Sequence, residues 1–249
     1  MADEQLIAVF IDFENLALGA KDTAGGEFHI DLVLRRLLQK GRLVYKRAYS
    51  DWSRYQSFVR AFHEQGVELI DIPQTKVSGK NSADIRMVVD ALDLCYAKQH
   101  IDAFALISGD SDFSPLAAKL KENNKRVIGC GIKSSTSDLL INQCDEFIYY
   151  DDLAREASRS RKKKKKTTRR SKSQEAIDMT VEIVRSLEGD YDPLWGSLVK
   201  QTLRRVHPGF TESYYDFKSF ADLLKAAEKQ KLLSLDYDAQ RGNYIVTSQ

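Results

Sequence analysis

Three cysteines, Cys95, Cys130 and Cys144, are all this 249-residue chain contains. They are odd in number, far apart and flanked by apolar residues, which excludes a disulfide framework and a cysteine-rich zinc module and predicts free thiols in a reducing compartment. No apolar stretch approaches the roughly 18 residues that span a bilayer, so no membrane role is expected. The opening Met-Ala-Asp-Glu-Gln is acidic and lacks the basic start of a secretion signal, and a cytoplasmic location is expected. Histidine is also scarce. His29, His63, His100 and His207 are the complete set, and none adjoins the acidic motifs described below, which disfavours metal-free acid–base chemistry driven by imidazole. No internal repeat is visible.

Charge is nearly balanced overall, at net +2, but unevenly placed. Between Glu156 and Glu175 lie ten Lys or Arg against two acids, leaving 28 of the 38 bases and 34 of the 36 acids elsewhere. The stretch Arg159–Lys172 contains no apolar residue, only bases, serines and threonines. Like-charge repulsion with nothing to bury predicts a disordered linker over 156–173. It separates a region 1–155 from a region 174–249.

Region 1–155 alternates short β-rich runs with amphipathic segments. Strands are expected at 6–12, 43–49, 67–72, 103–108, 126–131 and 146–150. Helices are expected near 31–40, 54–65, 83–98, 113–123 and 136–143, with Gly41 and Gly66 as helix stops. Such alternation predicts an α/β fold with a mostly parallel sheet covered on both faces. In helix 83–98, Ile85, Val88, Val89, Leu92, Cys95 and Tyr96 recur at helical spacing and are expected to form its buried face. Region 174–249 has a different pattern: helices at 174–188, 194–206 and 217–230, then two short strands at 232–236 and 242–246. This predicts a small α+β, winged-helix-like unit.

Carboxylates recur where expected strands end. Asp12 closes the apolar run Ile7–Ile11. Asp110 and Asp112 follow the run from Phe104 to Ile107 through Ser108-Gly109. Asp84 opens a helix after the loop Gly79-Lys80-Asn81-Ser82-Ala83. In open α/β sheets the carboxyl ends of strands are where ligands bind, and acids gathered there repel unless a cation neutralises them. Hard Mg²⁺ or Mn²⁺ prefers oxygen ligands, so Asp12, Asp84, Asp110 and Asp112 are candidate metal ligands and catalytic residues. Asn15, three residues after Asp12, is a candidate neutral ligand or water holder. Singly, each acid has a structural alternative: Asp112 as a helix cap, Asp84 as a partner of its helix dipole. Asp90 lies most of two turns from Asp84 and is assigned to structure.

The segments Phe10-Ile11-Asp12-Phe13-Glu14-Asn15-Leu16, Lys80-Asn81-Ser82-Ala83-Asp84 and Ser108-Gly109-Asp110-Ser111-Asp112-Phe113-Ser114-Pro115-Leu116 resemble the NYN domain, of the PIN-like, LabA-like nucleases. The resemblance covers about residues 5–150. It implies a PIN-like fold and a Mg²⁺- or Mn²⁺-dependent ribonuclease site formed by the four aspartates with Asn15 in support. An Asp-x-Asp phosphatase is the weaker alternative, because such enzymes carry their motif on the first strand, where this chain has Asp12-Phe13-Glu14. A non-catalytic RNA-binding regulatory adaptor is the other alternative.

Downstream, Asp192-Pro193-Leu194-Trp195-Gly196-Ser197-Leu198-Val199 and Tyr215-Asp216-Phe217-Lys218-Ser219-Phe220-Ala221-Asp222-Leu223-Leu224 resemble the OST-HTH, or LOTUS, winged-helix domain over about 174–248. The chain departs at Tyr215-Asp216, where many relatives carry glycine. This similarity implies RNA binding, or alternatively a protein partner. Lys218 is its candidate nucleic-acid contact, and Tyr214, Tyr215 and Tyr244 are candidates for stacking on unpaired bases. The basic run, through Arg161, Lys162, Lys163, Lys164, Lys165, Lys166, Arg169 and Arg170, suits non-specific phosphate binding to single-stranded or structured RNA. A solubilising linker or a nuclear localisation signal are its alternatives. Lys80 is a candidate phosphate contact beside the acidic set. Oligomeric state is not legible in the sequence.

Overall fold

The computed structural model describes residues 4–20, 28–73, 82–164 and 171–249. The chain divides into two compact units, Met1–Lys162 and Lys163–Gln249, each with its own core.

In the first unit, β1 (Leu6–Asp12), β2 (Arg42–Ser50), β3 (Glu68–Asp71), β4 (Ala103–Ile107), β5 (Arg126–Gly131) and β6 (Glu146–Tyr149) form one sheet in the order β3-β2-β1-β4-β5-β6. Every pairing is parallel. The connections contain α1 (Phe13–Ala20) and α2 (Ile30–Lys40), α3 (Gln56–Glu64), α4 (Ser82–Ala97), α5 (Ser114–Glu122), α6 (Asp138–Gln143), and α7 (Tyr150–Lys164) follows β6. This is a PIN-like α/β arrangement.

β1 shows why the sheet is covered on both sides. Ile7, Val9 and Ile11 enter one core and Ala8 and Phe10 enter the other, as period-two alternation requires. Phe10 stacks between Tyr49 and Phe104 on its face. Phe13, just past the strand, is fully buried and meets Phe28, Trp52, Tyr55, Phe58 and Phe62, all with centroids within 6.2 Å. Helix α1 is an element that the hydrophobic periodicity does not announce. It starts inside the acidic motif, and the buried Phe13 and Leu16 anchor it.

Gly41 ends α2 with extended backbone, not in the left-handed region. Its role is close approach: a Cβ there would lie 2.4 Å from the Gln5 carbonyl oxygen. Burial raises the thiol pKa of Cys130 to about 12 and of Cys144 to about 11.

Two sequence expectations need correction. The buried face of α4 is Met87, Ala91 and Cys95, while Ile85, Val89 and Tyr96 are exposed and Val88 and Leu92 are half-buried. The helix has two apolar stripes, and periodicity alone does not say which one meets the sheet. The second correction concerns the basic run. Composition predicts a disordered linker from 156, yet α7 continues to Lys164. Lys, Arg and Ala are good helix formers, and Asp151 and Asp152 in the first turn suit the helix dipole.

The second unit contains α8 (Lys172–Leu187), α9 (Gly196–Val206), α10 (Phe220–Lys229), and the antiparallel pair β7 (Leu233–Asp238) and β8 (Asn243–Ser248). The expected helix over 217–230 starts later, at Phe220, capped by Ser219 accepting from the Asp222 N–H at 3.1 Å. Asp216 has φ +65°, so the turn demands the left-handed conformation that glycine adopts most easily. Val184, Val199, Leu203, Leu223 and Val246 fill the small core.

Candidate functional site

The strand order reverses between β1 and β4. From β1 the chain moves out to β2 and β3; β4 lies on the other side and leads to β5 and β6. A crevice opens at the carboxyl ends of strands where such a reversal occurs. Asp12 ends β1 there, and Ile11 pairs with Ile107, so Ser108 to Asp112 emerge alongside it.

Asp12 is 7% exposed. Its Oδ2 accepts from the Ser108 hydroxyl at 2.8 Å and its Oδ1 from the Asn15 N–H at 3.4 Å. The same Ser108 oxygen accepts from the Asp110 N–H at 3.1 Å. Asp110 Oδ1 caps the following 3₁₀ turn, Ser111–Phe113, by accepting from the Asp112 N–H at 3.0 Å. Phe113, fully buried, holds that turn to the core. Asn15 Oδ1 accepts from the Gly109 N–H at 2.9 Å, which fastens the end of β1 to the end of β4. The oxygen expected to serve a metal or water is thus engaged in positioning. Gly109 allows the loop after β5 to close over this turn: a Cβ would lie 2.6 Å from the Ser135 carbonyl oxygen. The Ser137 N–H donates to the Gly109 carbonyl at 2.9 Å.

Asp84 enters from α4, in its first turn. Electrostatics connect it to the others. Burial raises the Asp12 pKa to about 7; the Ser108 hydrogen bond opposes this, and the Asp84 and Asp110 charges add to it. Asp84 is raised to about 6 by burial and then by Asp110, Asp112 and Glu14. The structure therefore brings Asp12, Asp84, Asp110 and Asp112 to one sheet edge.

Two residues join them that sequence reasoning did not select. Ser108 links Asp12 to Asp110. Glu14 bears on Asp84, and its Oε1 accepts from the Asp51 N–H at 3.3 Å. The signal for Glu14 was present, since it lies in the quoted motif between Asp12 and Asn15. Ser108 likewise lies in the motif that carries the family resemblance, at its first position.

The donors are hard oxygens, as a Mg²⁺- or Mn²⁺-type ion requires. Among the described residues, however, no three carboxylates converge as a closed coordination shell. Coulombic coupling reaches over several ångströms, whereas Mg²⁺ binds oxygen at about 2.0–2.1 Å, so the acids are gathered without forming a chelate. Asp90 serves structure: it accepts from Arg47 at 3.1 Å, the Tyr49 hydroxyl at 2.9 Å and Arg86 at 3.0 Å.

The profile of the NYN domain matches residues 6–151. The chain belongs to the NYN domain family. An uncharacterised protein of Methanocaldococcus jannaschii is 33% identical over 147 residues, covering 58% of this chain and 55% of its own length, so this chain spans about half of that curated relative. A crystal structure of a Vibrio parahaemolyticus protein of unknown function is similar over 61% of this chain and 97% of its own, with 25% identity and a TM-score of 0.54. The family match ends at residue 151, before the second unit.

Of the candidate nucleic-acid contacts, Lys80, Lys165, Lys166, Arg169 and Arg170 lie outside the described residues, and for Arg161–Lys164 only the helical backbone is described. Lys218 is exposed, in the turn before α10. Tyr214 is exposed with Lys172 Nζ 4.3 Å from its ring centre. Tyr215 stacks on Phe210 at 5.2 Å, and Tyr244 packs on the small core and on Tyr237 at 5.0 Å, which suits both more to framework than to base stacking. No helix among the described residues is long and apolar enough to cross a membrane.

Proposed function

We propose that the NYN unit is a Mg²⁺- or Mn²⁺-dependent ribonuclease that hydrolyses RNA phosphodiester bonds at Asp12, Asp84, Asp110 and Asp112. The observation that carries this reading is the electrostatically coupled pair of buried Asp12 and half-buried Asp84, with raised pKa values, at the strand-order reversal. Burying like charges at one edge costs free energy that a bound cation offsets, and such placements mark functional sites.

Those four aspartates would hold the ion, which supplies charge neutralisation and Lewis-acid activation at the phosphate. Asp12, oriented by the Ser108 hydroxyl, presents a fixed carboxylate. Asn15 keeps the ends of β1 and β4 in register, and Ser108 sets the Asp110 turn. Glu14 adds negative charge beside Asp84. The basic run holds the RNA backbone by counterion release and, as a tether, keeps the strand near the acids. The second unit is proposed as an OST-HTH/LOTUS-like winged-helix module that binds RNA through Lys218 and Tyr214, with a protein partner as its alternative.

A second reading, the non-cutting RNA-binding adaptor, draws on the absence of a closed carboxylate shell among the described residues. Incubating the full chain with end-labelled single-stranded and hairpin RNAs and Mn²⁺ or Mg²⁺, beside an Asp12→Asn/Asp110→Asn variant, separates the two. Metal-dependent cleavage lost in the variant is expected. Tight binding with no cleavage by either protein would transfer the assignment to the adaptor.

A further inference from the structure

Helix α4 carries an apolar stripe that the described residues of its own unit cover only at Leu92, which packs against the core. Ile85, Val89 and Tyr96 are 63%, 56% and 56% exposed, and Leu92 between them is half-buried. Their spacing of four, three and four residues is that of a coiled-coil seam, which places all four on one narrow line of the helix. The opposite side of α4 already packs on the sheet through Met87, Ala91 and Cys95. A helix apolar on two sides has two partners or an exposed liability.

The order of residues along the seam says what the second partner is. Read in reverse about the point between Asp90 and Ala91, the stripe maps onto itself: position 85 falls opposite 96 and 89 opposite 92. Charge follows the same rule. Arg86 and Asp93, both exposed, lie on the same flank of the stripe, one toward each end. In an antiparallel pair each Arg86 comes within two residues of register with the other copy's Asp93, about 3 Å along the axis, which a long arginine side chain spans. Arg86 binds its own Asp90 through Nε at 3.0 Å, and a guanidinium carries five N–H donors, so it can serve both acids.

We propose that two copies of this chain associate through α4, antiparallel, about a two-fold axis that passes near Asp90 and Ala91. Isologous contacts of this kind need a surface complementary to itself, which the seam is. Sixteen residues give a helix about 24 Å long, so one helix pair buries less than the roughly 1,000 Å² of a stable interface. The dimer is weak and concentration-dependent. Ile85 directly follows Asp84, so the seam begins at the rim of the acidic edge. The proposal does not depend on the nuclease reading.

Sedimentation velocity on the nuclease-treated full chain at about 0.15 M salt, where exposed charge pairs are only partly screened, over a dilution series to the limit of solubility, tests it. The expected mass rises with concentration from one chain toward two. Val89→Arg is expected to stay monomeric throughout while keeping the wild-type circular dichroism and melting temperature, because the position is exposed. Asp93→Arg is expected to weaken association several-fold by setting like charges against each other. A wild-type chain that remains monomeric at every concentration overturns the proposal, as does a Val89→Arg chain that dimerises like wild type. A monomeric wild type whose melting temperature falls on Val89→Arg also overturns it, and shows instead that the seam is covered within one chain.

Discussion

Asp12 joins stability to the proposed chemistry. Its pKa rises from 3.8 to about 7 on folding, so between those values the folded chain binds more protons than the unfolded one. Stability then falls as pH rises, because its slope with pH follows protons bound in the unfolded state minus the folded state. Its charge is fully unfavourable above pH 7, by an upper bound of about 4 kcal/mol at 1.36 kcal/mol per pKa unit. In chelator, Asp12→Asn is expected to melt higher than wild type at pH 8 and close to it below pH 4; melting curves separated equally at all pH values would refute this. Ser108→Ala removes the hydroxyl that donates to Asp12 and accepts from Asp110. By the usual cost of losing such support, its cleavage rate is expected to fall about 10- to 100-fold, with a stability loss of about 1–3 kcal/mol from the unsatisfied buried partners. That Asp12 ends a strand is legible in the sequence. That Ser108 supports it is not, because the hydrogen bond joins residues 96 apart.

At the scale of elements, the β1–α1 junction decides where the acids point. Phe13 lies among five aromatic rings, so the residue after Asp12 is pinned and Glu14 and Asn15 follow in a helix. Phe13→Ala should cost about 3–5 kcal/mol, measured by urea unfolding; a loss under about 1 kcal/mol would mean the ring cluster repacks. The six strands were legible because their apolar runs are short and bounded. Helix α1 was not, because eight residues with two apolar anchors carry little periodic signal. For α4 the sequence showed the better-spaced stripe, Ile85 to Tyr96, and the sheet took the other, since Met87, Ala91 and Cys95 are the side chains that fit against β1 and β2.

At the scale of the molecule, the basic run between the NYN unit and the second unit is where charge is concentrated. If it binds RNA phosphates, changing Lys162–Lys166 to glutamine lowers the slope of log affinity against log salt by up to about 3.5, at 0.7 per single-strand phosphate contact. Fluorescence anisotropy over a salt series measures it, and an unchanged slope assigns the run to solubility. The continuation of α7 to Lys164 means that part of this charge is borne on a helix, with a rise of about 1.5 Å per residue in place of an extended chain.

By itself the sequence determined the α/β class, the number and place of the strands, the acidic motifs and the basic segment. All of these follow from local patterns of burial, turn and charge that a few neighbouring residues express. Only the tertiary structure decided the strand order, and with it the meeting of Asp12 with Asp110 and the raised pKa values of Asp12 and Asp84. It alone assigned Asn15 to positioning and left one of the two stripes of α4 facing outward. Those outcomes depend on contacts between residues tens of positions apart, where packing selects one of several arrangements that local pattern permits.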